Sequence, residues 1–304
     1  MSARLALLPA LLALSGCTAT SQASEAAAPN AVPADQQAFL EACEDWDEWD
    51  KPAPPFRIHG GTYYVGTCGI SAILVTHDEG HTLIDTGTEE GAKVVLANIA
   101  KLGFDPKDVE AITLSHEHFD HVGGIASLQY ATGATVYSSP AAAESLQSGL
   151  PSAGDPQAAS GHPPFRPLGT LVFLLETGKS DPVGPKQLKP IVTPGHTPGA
   201  LSWQWRECEG RDCRWLVYAD SLSPISADDY RFSDHPDYVA DFRAGLDRLS
   251  KASCDILVTP HPSASEMLSR MKGNDGLLLP EGCAWYPARI GERLDQRLAE
   301  EAAQ

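Results

Sequence analysis

The chain is short of cations. Against 40 aspartates and glutamates it carries 22 lysines and arginines, a formal net charge of −18 over 304 residues. Nucleic-acid binding needs a basic face to neutralise phosphates, so this balance excludes a polynucleotide as the principal partner. The excess acid reads as a solvated surface. Beyond the N-terminus no apolar stretch approaches the roughly 20 residues needed to span a bilayer. There is no Cys-x-x-Cys pair, which argues against a thiolate zinc site. No internal repeat is visible, and strands and helices do not alternate as strictly as a doubly wound parallel sheet requires.

What is present begins with a leader. Arg4 precedes an apolar run from Leu5 to Leu14, and Leu14-Ser15-Gly16-Cys17 resembles the bacterial lipobox. Residues 1–17 are expected to be a lipoprotein-type signal peptide, cut before a lipid-bearing Cys17; the alternative is cleavage near Ala19 that discards Cys17. Residues 18–36, rich in Ala, Ser, Thr and Pro, read as a flexible tether, and residues 37–304 as a single domain. The expected location is the periplasm, with membrane contact only through the lipid on Cys17 and the protein a monomer. Setting Cys17 aside from the seven cysteines leaves six, an even number suited to an oxidising compartment. Cys208 and Cys213 flank a Glu-Gly-Arg-Asp turn and are expected to close a hairpin. Cys43 with Cys68 and Cys254 with Cys283 are the natural remaining pairs, although sequence alone leaves other connectivities open.

From about residue 56 strand-like and helix-like segments are mixed. Strands are expected at Thr62–Gly66, Ile70–Thr76, His81–Asp85, Glu110–Ser115, Ala134–Ser138, Leu171–Glu176, Pro190–Thr193, Leu201–Arg206, Arg214–Ala219 and Asp255–Thr259. Helical spacing marks Glu89–Leu102, a start near Val122, Asp237–Ser250, Ser263–Met271 and Ala288–Ala302. The Pro-, Gly- and Ser-rich stretch from Gly149 to Gly169 is a loop long enough to form a functional rim or lid.

The stretch that decides the chemistry is Ser115-His116-Glu117-His118-Phe119-Asp120-His121, directly after the apolar run Ala111-Ile112-Thr113-Leu114. Three imidazoles and Asp120 at the end of a buried strand are costly unless something satisfies them, and a divalent metal does so. His196, in Pro194-Gly195-His196-Thr197-Pro198-Gly199, and His261, in Thr259-Pro260-His261-Pro262, each follow a strand-like run. A lone histidine beside proline and glycine is usually a turn residue, but two of them downstream of the cluster point to ligands. His59, His77, His81, His162 and His235 lack that setting and read as surface or turn residues.

At these residues the chain resembles the metallo-β-lactamase superfamily, whose signature is His-x-His-x-Asp-His followed by two separated histidines. The resemblance covers nearly all of the chain after residue 56. Within the superfamily it looks most like class B β-lactamases of subclass 3, in which histidine replaces the cysteine ligand of subclass 1. The Thr-Pro-His-Pro wording, the segment Ala219-Asp220-Ser221-Leu222-Ser223 and the late cysteine pair favour that subclass.

The resemblance implies an α+β fold, an αββα sandwich with two mixed sheets face to face and helices outside. It implies two zinc ions per chain, one held by His116, His118 and His196 and the other by Asp120, His121 and His261. Asp120 would also orient the attacking hydroxide. Asp85 matches an acid that steadies the ligand loops, and Asp220 either does the same or bridges the metals, as in glyoxalase-like relatives. Ser221 and Ser223 are candidate donors to a substrate carboxylate. Subclass 1 enzymes use a lysine just past this segment, whereas here Pro224 follows Ser223, so recognition is expected to lean on zinc and hydroxyls. The expected reaction is zinc-dependent opening of the β-lactam ring of penicillins, cephalosporins and carbapenems. The rival reading within enzymes is a lactone or thioester hydrolase of the same fold. An RNA-processing nuclease fits the acidity poorly, and a metal-binding envelope protein without turnover is the reading from another class.

Overall fold

A computed structural model describes residues 32–175 and 181–303. The leader, Cys17 and most of the tether lie outside the described residues, as does the end of the strand expected at Leu171–Glu176. Among the described residues no helix is long and apolar enough to cross a membrane.

Seven strands form the first sheet in sequence order: β1 (Phe56–His59), β2 (Thr62–Tyr64), β3 (Ile73–Val75), β4 (His81–Ile84), β5 (Val109–Thr113), β6 (Thr135–Ser138) and β7 (Val172–Leu174). The second sheet runs β11 (Ile256–Val258), β10 (Asp212–Tyr218), β9 (Leu201–Glu209), β8 (Lys189–Val192). Both sheets are mixed: β4, β5, β6 and β7 pair in parallel while β1 to β4 pair antiparallel, and β10 is parallel to β11 but antiparallel to β9. The helices are α1 (Ala34–Ala42), α2 (Glu89–Lys101), α3 (Phe119–Val122), α4 (Ile125–Thr132), α5 (Pro140–Ser148), α6 (Pro236–Ser250), α7 (Met267–Met271) and α8 (Gly282–Ala302).

The two-residue period of a strand explains the layering. On β3, Ile73 and Val75 enter the core between the sheets, while Leu74 joins the cluster that packs on α2, α4 and α5. On β10, Leu216 and Tyr218 face inward, while Val217 turns outward against Phe242 of α6 and Tyr286, Ile290 and Leu294 of α8. Two sheets therefore share one apolar interior and each carries helices on its outer face, the αββα sandwich.

Several boundaries differ from the sequence expectation. Helix α1 begins at Ala34, inside the stretch read as tether, because Phe39 stacks edge-on against Phe56 and Tyr64 and so draws the segment onto the core. The segment expected as one helix at Ser263–Met271 breaks at Glu266, whose φ of +57° ends a short 3-10 turn before α7 starts. Helix α8 starts at Gly282, six residues before the expected Ala288, and carries Pro287 inside it. Burial of Cys283, Tyr286 and Pro287 holds the turns that the missing N–H would otherwise weaken. Helix α5 was not anticipated; it opens on Ser139, whose hydroxyl accepts from Ala142 N–H, followed by Pro140 in the first turn.

The six described cysteines stand in three pairs, Cys43 with Cys68, Cys208 with Cys213 and Cys254 with Cys283. Cys208 and Cys213 face each other across the β9–β10 hairpin, and Cys254–Cys283 joins the approach to β11 to the start of α8.

Candidate metal centre

The site lies where strand ends open between the sheets. After β5 the chain passes through Ser115, His116, Glu117 and His118 before one turn of helix, α3, which carries Asp120 and His121. So short a helix lets neighbouring side chains diverge, and it is held close to α2: a Cβ on Gly124 would stand 2.3 Å from Ala92 Cβ. His196 sits in the tight turn between β8 and β9, and His261 just beyond β11. Three ties hold these loops in register: Leu201 N–H donates to Ser115 O (2.7 Å), Thr86 N–H to His121 O (2.9 Å) and Ser71 N–H to Pro260 O (2.7 Å).

The imidazoles of His116, His118 and His196 form a near-regular triangle, with ring centroids 4.6–4.9 Å apart and planes steeply crossed. One ligand atom each of His116, His118 and His196 lies within 4.8 Å of the others, and the same holds for His116, Asp120 and His121. His261 Nε2 approaches Asp120 Oδ2 at 3.4 Å, which brings the sixth residue to the same carboxylate. All six residues read from the sequence as ligands thus come together.

Each ring is tied on its far side. His116 Nδ1 is 2.8 Å from Asp220 Oδ1, His118 Nε2 is 2.9 Å from Asp155 Oδ2, and His196 Nδ1 is 3.0 Å from the Ser223 carbonyl. His121 Nδ1 stands 3.4 Å from Asp85 Oδ2, and the Gly69 backbone hydrogen-bonds His261. Such outer partners fix the tautomer and aim the other nitrogen inward. The inward nitrogen of His116 is buried and finds no hydrogen-bond partner, a loss of about 1–3 kcal/mol unless something accepts its lone pair.

Electrostatics point the same way. Burial first, and then the neighbouring imidazoles, hold His116 and His196 well below the usual histidine range, and push His261 down to about 4. Three rings are therefore neutral donors near neutral pH. His121 is the exception: burial opposes its charge, but Asp120 Oδ2 at 3.1 Å outweighs that and pushes it up to about 10. The same contact, again against burial, holds the Asp120 carboxyl below the usual carboxylate range. Five imidazole nitrogens and a carboxylate oxygen, without thiolate, fit a zinc-type divalent ion.

Asp85 and Asp220 both lie behind the rings. Asp85, at φ +62°, accepts from Ser115 N–H (2.6 Å), Ser115 Oγ (2.7 Å) and Tyr218 OH (2.7 Å). Asp220 accepts from Leu222 N–H (3.0 Å) on one oxygen and meets His116 Nδ1 with the other, which backs the His116 ring. Burial raises its carboxyl well above the usual range, against the opposing N–H groups of Leu222 and Ser221.

Ser221 and Ser223 line a cavity of about 750 Å³ together with His118, Asp120, His196 and His261. Leu222 between them has φ +52° and a side chain buried in the α6–α8 core. The Ser221 hydroxyl is buried without a partner, whereas that of Ser223 lies 3.1 Å from His196 Nδ1.

Sequence reasoning missed several contributors. Asp155 belongs to the long loop after α5, and nothing local marks it. Glu117, hidden inside the motif, is buried and accepts from Thr197 Oγ1 (2.6 Å) and Gly199 N–H (3.0 Å), locking the His196 turn to the β5 loop. Of the histidines read as surface or turn residues, His59 and His81 are buried, His59 against Asp212 O and His81 in β4 against Phe104. His162 stacks on His118 at 5.7 Å and lines the cleft with Trp46 and Trp49. His77 sits in a turn and His235 is exposed.

A family profile described as the metallo-beta-lactamase superfamily matches residues 65–261. Among solved structures, the MIM-2 metallo-beta-lactamase is 52% identical, with a TM-score of 0.83, covering 88% of this chain and 98% of that one. MEM-A1, a subclass B3 metallo-beta-lactamase from a soil metagenome library, is 39% identical with a TM-score of 0.79, covering 84% of this chain and 99% of that one. Against curated proteins the likeness is short: a Thermus thermophilus ribonuclease is 42% identical over 74 residues, which is 22% of this chain and only 17% of that protein.

Proposed function

The chain belongs to the metallo-beta-lactamase superfamily, its solved neighbours are of subclass B3, and on that premise we propose that it is a di-zinc β-lactamase. The likeness to β-lactamases over almost their whole length carries the substrate class, since fold alone would not. Penicillins, cephalosporins and carbapenems are the proposed substrates.

His116, His118 and His196 would hold one zinc, and Asp120, His121 and His261 the other. When bound, such a pair supplies Lewis acidity that polarises a carbonyl and lowers the pKa of water toward neutrality. The chain's own residues do the rest. Asp120, reached by both His121 and His261, would orient the attacking water. Asp85, Asp155, Asp220 and the Ser223 carbonyl keep the rings in place, so little reorganisation accompanies reaction. Ser221 and Ser223, which line the cavity, are the candidate donors to a substrate carboxylate.

The proposal extends to the setting: one catalytic domain after a tether, acting as a monomer in the periplasm and anchored by a lipid on Cys17. The test of function is turnover of a chromogenic cephalosporin by the mature protein, with and without a chelator. Turnover that the chelator abolishes is expected; a zinc-loaded, folded protein that opens no β-lactam would overturn the reading.

A further inference from the structure

One wall of the cavity is built by α8, which is fixed to the segment that carries Ser221 and Ser223. Tyr286 OH donates to Ser221 O (2.7 Å), and Arg297 donates to Ser226 Oγ (2.8 Å) and Tyr230 O (3.1 Å). The pairing of Cys254 with Cys283 adds a third tie at the start of the helix. At helical spacing, Tyr286, Ile290 and Arg293 fall on one face, and all three line the cavity, as does Arg289.

Among the described residues these two arginines are the only lysine or arginine side chains lining the cavity, whose lining acids are Asp45, Asp120 and Glu266. They are not equivalent. Arg289 is engaged: its guanidinium lies 2.6 Å from Glu266 Oε1 and rests over the Trp285 ring at 5.4 Å. Arg293 is exposed and, among the described residues, makes no hydrogen bond or ion pair. A cation left unpaired on the wall of a cleft in a chain of net charge −18 has local value only if an anion arrives there.

Resting on the β-lactamase reading above, we infer that Arg293 is a specificity-determining residue that receives the carboxylate of the substrate. This revises the expectation that recognition leans on zinc and hydroxyls alone. Pro224 leaves the Ser221–Ser223 segment without a cation, and α8, bonded to that segment through Tyr286, supplies one on the cavity wall. The planar guanidinium suits a carboxylate bidentately. The contact exists before and during ring opening, so it acts on binding and not on the chemical step.

The test compares a carboxylate-bearing cephalosporin with its methyl ester, using zinc-loaded enzyme at low ionic strength. Arg293→Ala should raise KM for the free acid by about 5- to 10-fold with kcat little changed, in keeping with a partly exposed charged contact. KM for the ester should stay at its wild-type value. Arg293→Lys should recover part of the loss, and added salt should shrink the difference between wild type and Arg293→Ala. Lys93→Ala removes the same charge from α2, remote from the cleft, and should leave every constant unchanged. If Arg293→Ala shifted acid and ester equally, or neither, or if Lys93→Ala matched it, the assignment to Arg293 would be wrong. Wild-type enzyme inert toward both compounds would instead overturn the β-lactamase reading.

Discussion

Asp155 Oδ2 lies 2.9 Å from His118 Nε2, so a residue of the long loop after α5 fixes which nitrogen His118 turns to the metal centre. The loop is therefore part of the site and not merely its rim. Asp155 is itself secured, its other oxygen accepting from Gln157 N–H at 2.8 Å.

Removing that carboxylate should loosen the metal site. Asp155→Ala is expected to weaken zinc binding by about 10- to 100-fold, the usual cost of losing an outer partner of a ligand histidine. Asp155→Asn keeps an acceptor oxygen and should lose less. Competition against a chromogenic chelator measures both, and unchanged affinity in Asp155→Ala would show that His118 is oriented by something else.

Asp120 has a sharper expectation, because the proposed function gives it two jobs, as ligand and as the group that orients water. Asp120→Asn keeps the size and one oxygen but removes the charge that His121 and His261 share. Turnover at saturating zinc should fall by two or more orders of magnitude, about 3 kcal/mol or more of transition-state stabilisation. Near-wild-type kcat in this variant would contradict the role given to Asp120.

Export is tested by the cysteines. Non-reducing peptide mapping of exported protein should link Cys43 to Cys68, Cys208 to Cys213 and Cys254 to Cys283. Loss of the Cys254–Cys283 bridge should cost about 2–5 kcal/mol in a denaturation series. Cys17→Ala should abolish lipid labelling and release active enzyme from the membrane fraction. Free thiols throughout, or membrane association that survives Cys17→Ala, would refute the compartment or the anchor respectively.

Stability should depend on acid pH through Glu301, far from the metals. Burial raises this carboxyl, but the N–H groups of Ser233 (2.7 Å) and Phe232 (3.1 Å) and the Arg297 guanidinium (2.6 Å) outweigh it and hold it below the usual carboxylate range. A group lowered on folding stabilises above its unfolded value and loses that contribution as pH falls through its folded value. Glu301→Gln should therefore cost about 1–3 kcal/mol at neutral pH, and the gap to wild type should close in acid. A gap that stays constant with pH would remove the charge from the explanation.

How much of this was legible in the sequence follows from how local each signal is. The candidate ligands His116, His118, Asp120 and His121 were readable because charged and titratable groups directly follow an apolar strand, and His196 and His261 because glycine and proline turns end strands beside them. Asp155 is 37 residues from the histidine it orients, so only the tertiary path of its loop reveals the contact. Pro287 hid the first turns of α8, because a proline inside a helical pattern ordinarily marks a break. Arg293 was invisible for a different reason: an exposed arginine on a helix looks like any solvated side chain until the cavity it lines is known. The cysteine pair of the β9–β10 hairpin, by contrast, was set by a tight turn and needed no tertiary information.

The central claim is that the six convergent ligands hold two zinc ions and that activity depends on them. It is tested most directly by titrating zinc into chelator-stripped mature protein while measuring bound metal and chromogenic cephalosporin turnover together. The account predicts no turnover in the stripped protein, activity that returns as zinc binds, and saturation at about two zinc ions per chain. Full activity with well under one zinc per chain would contradict it.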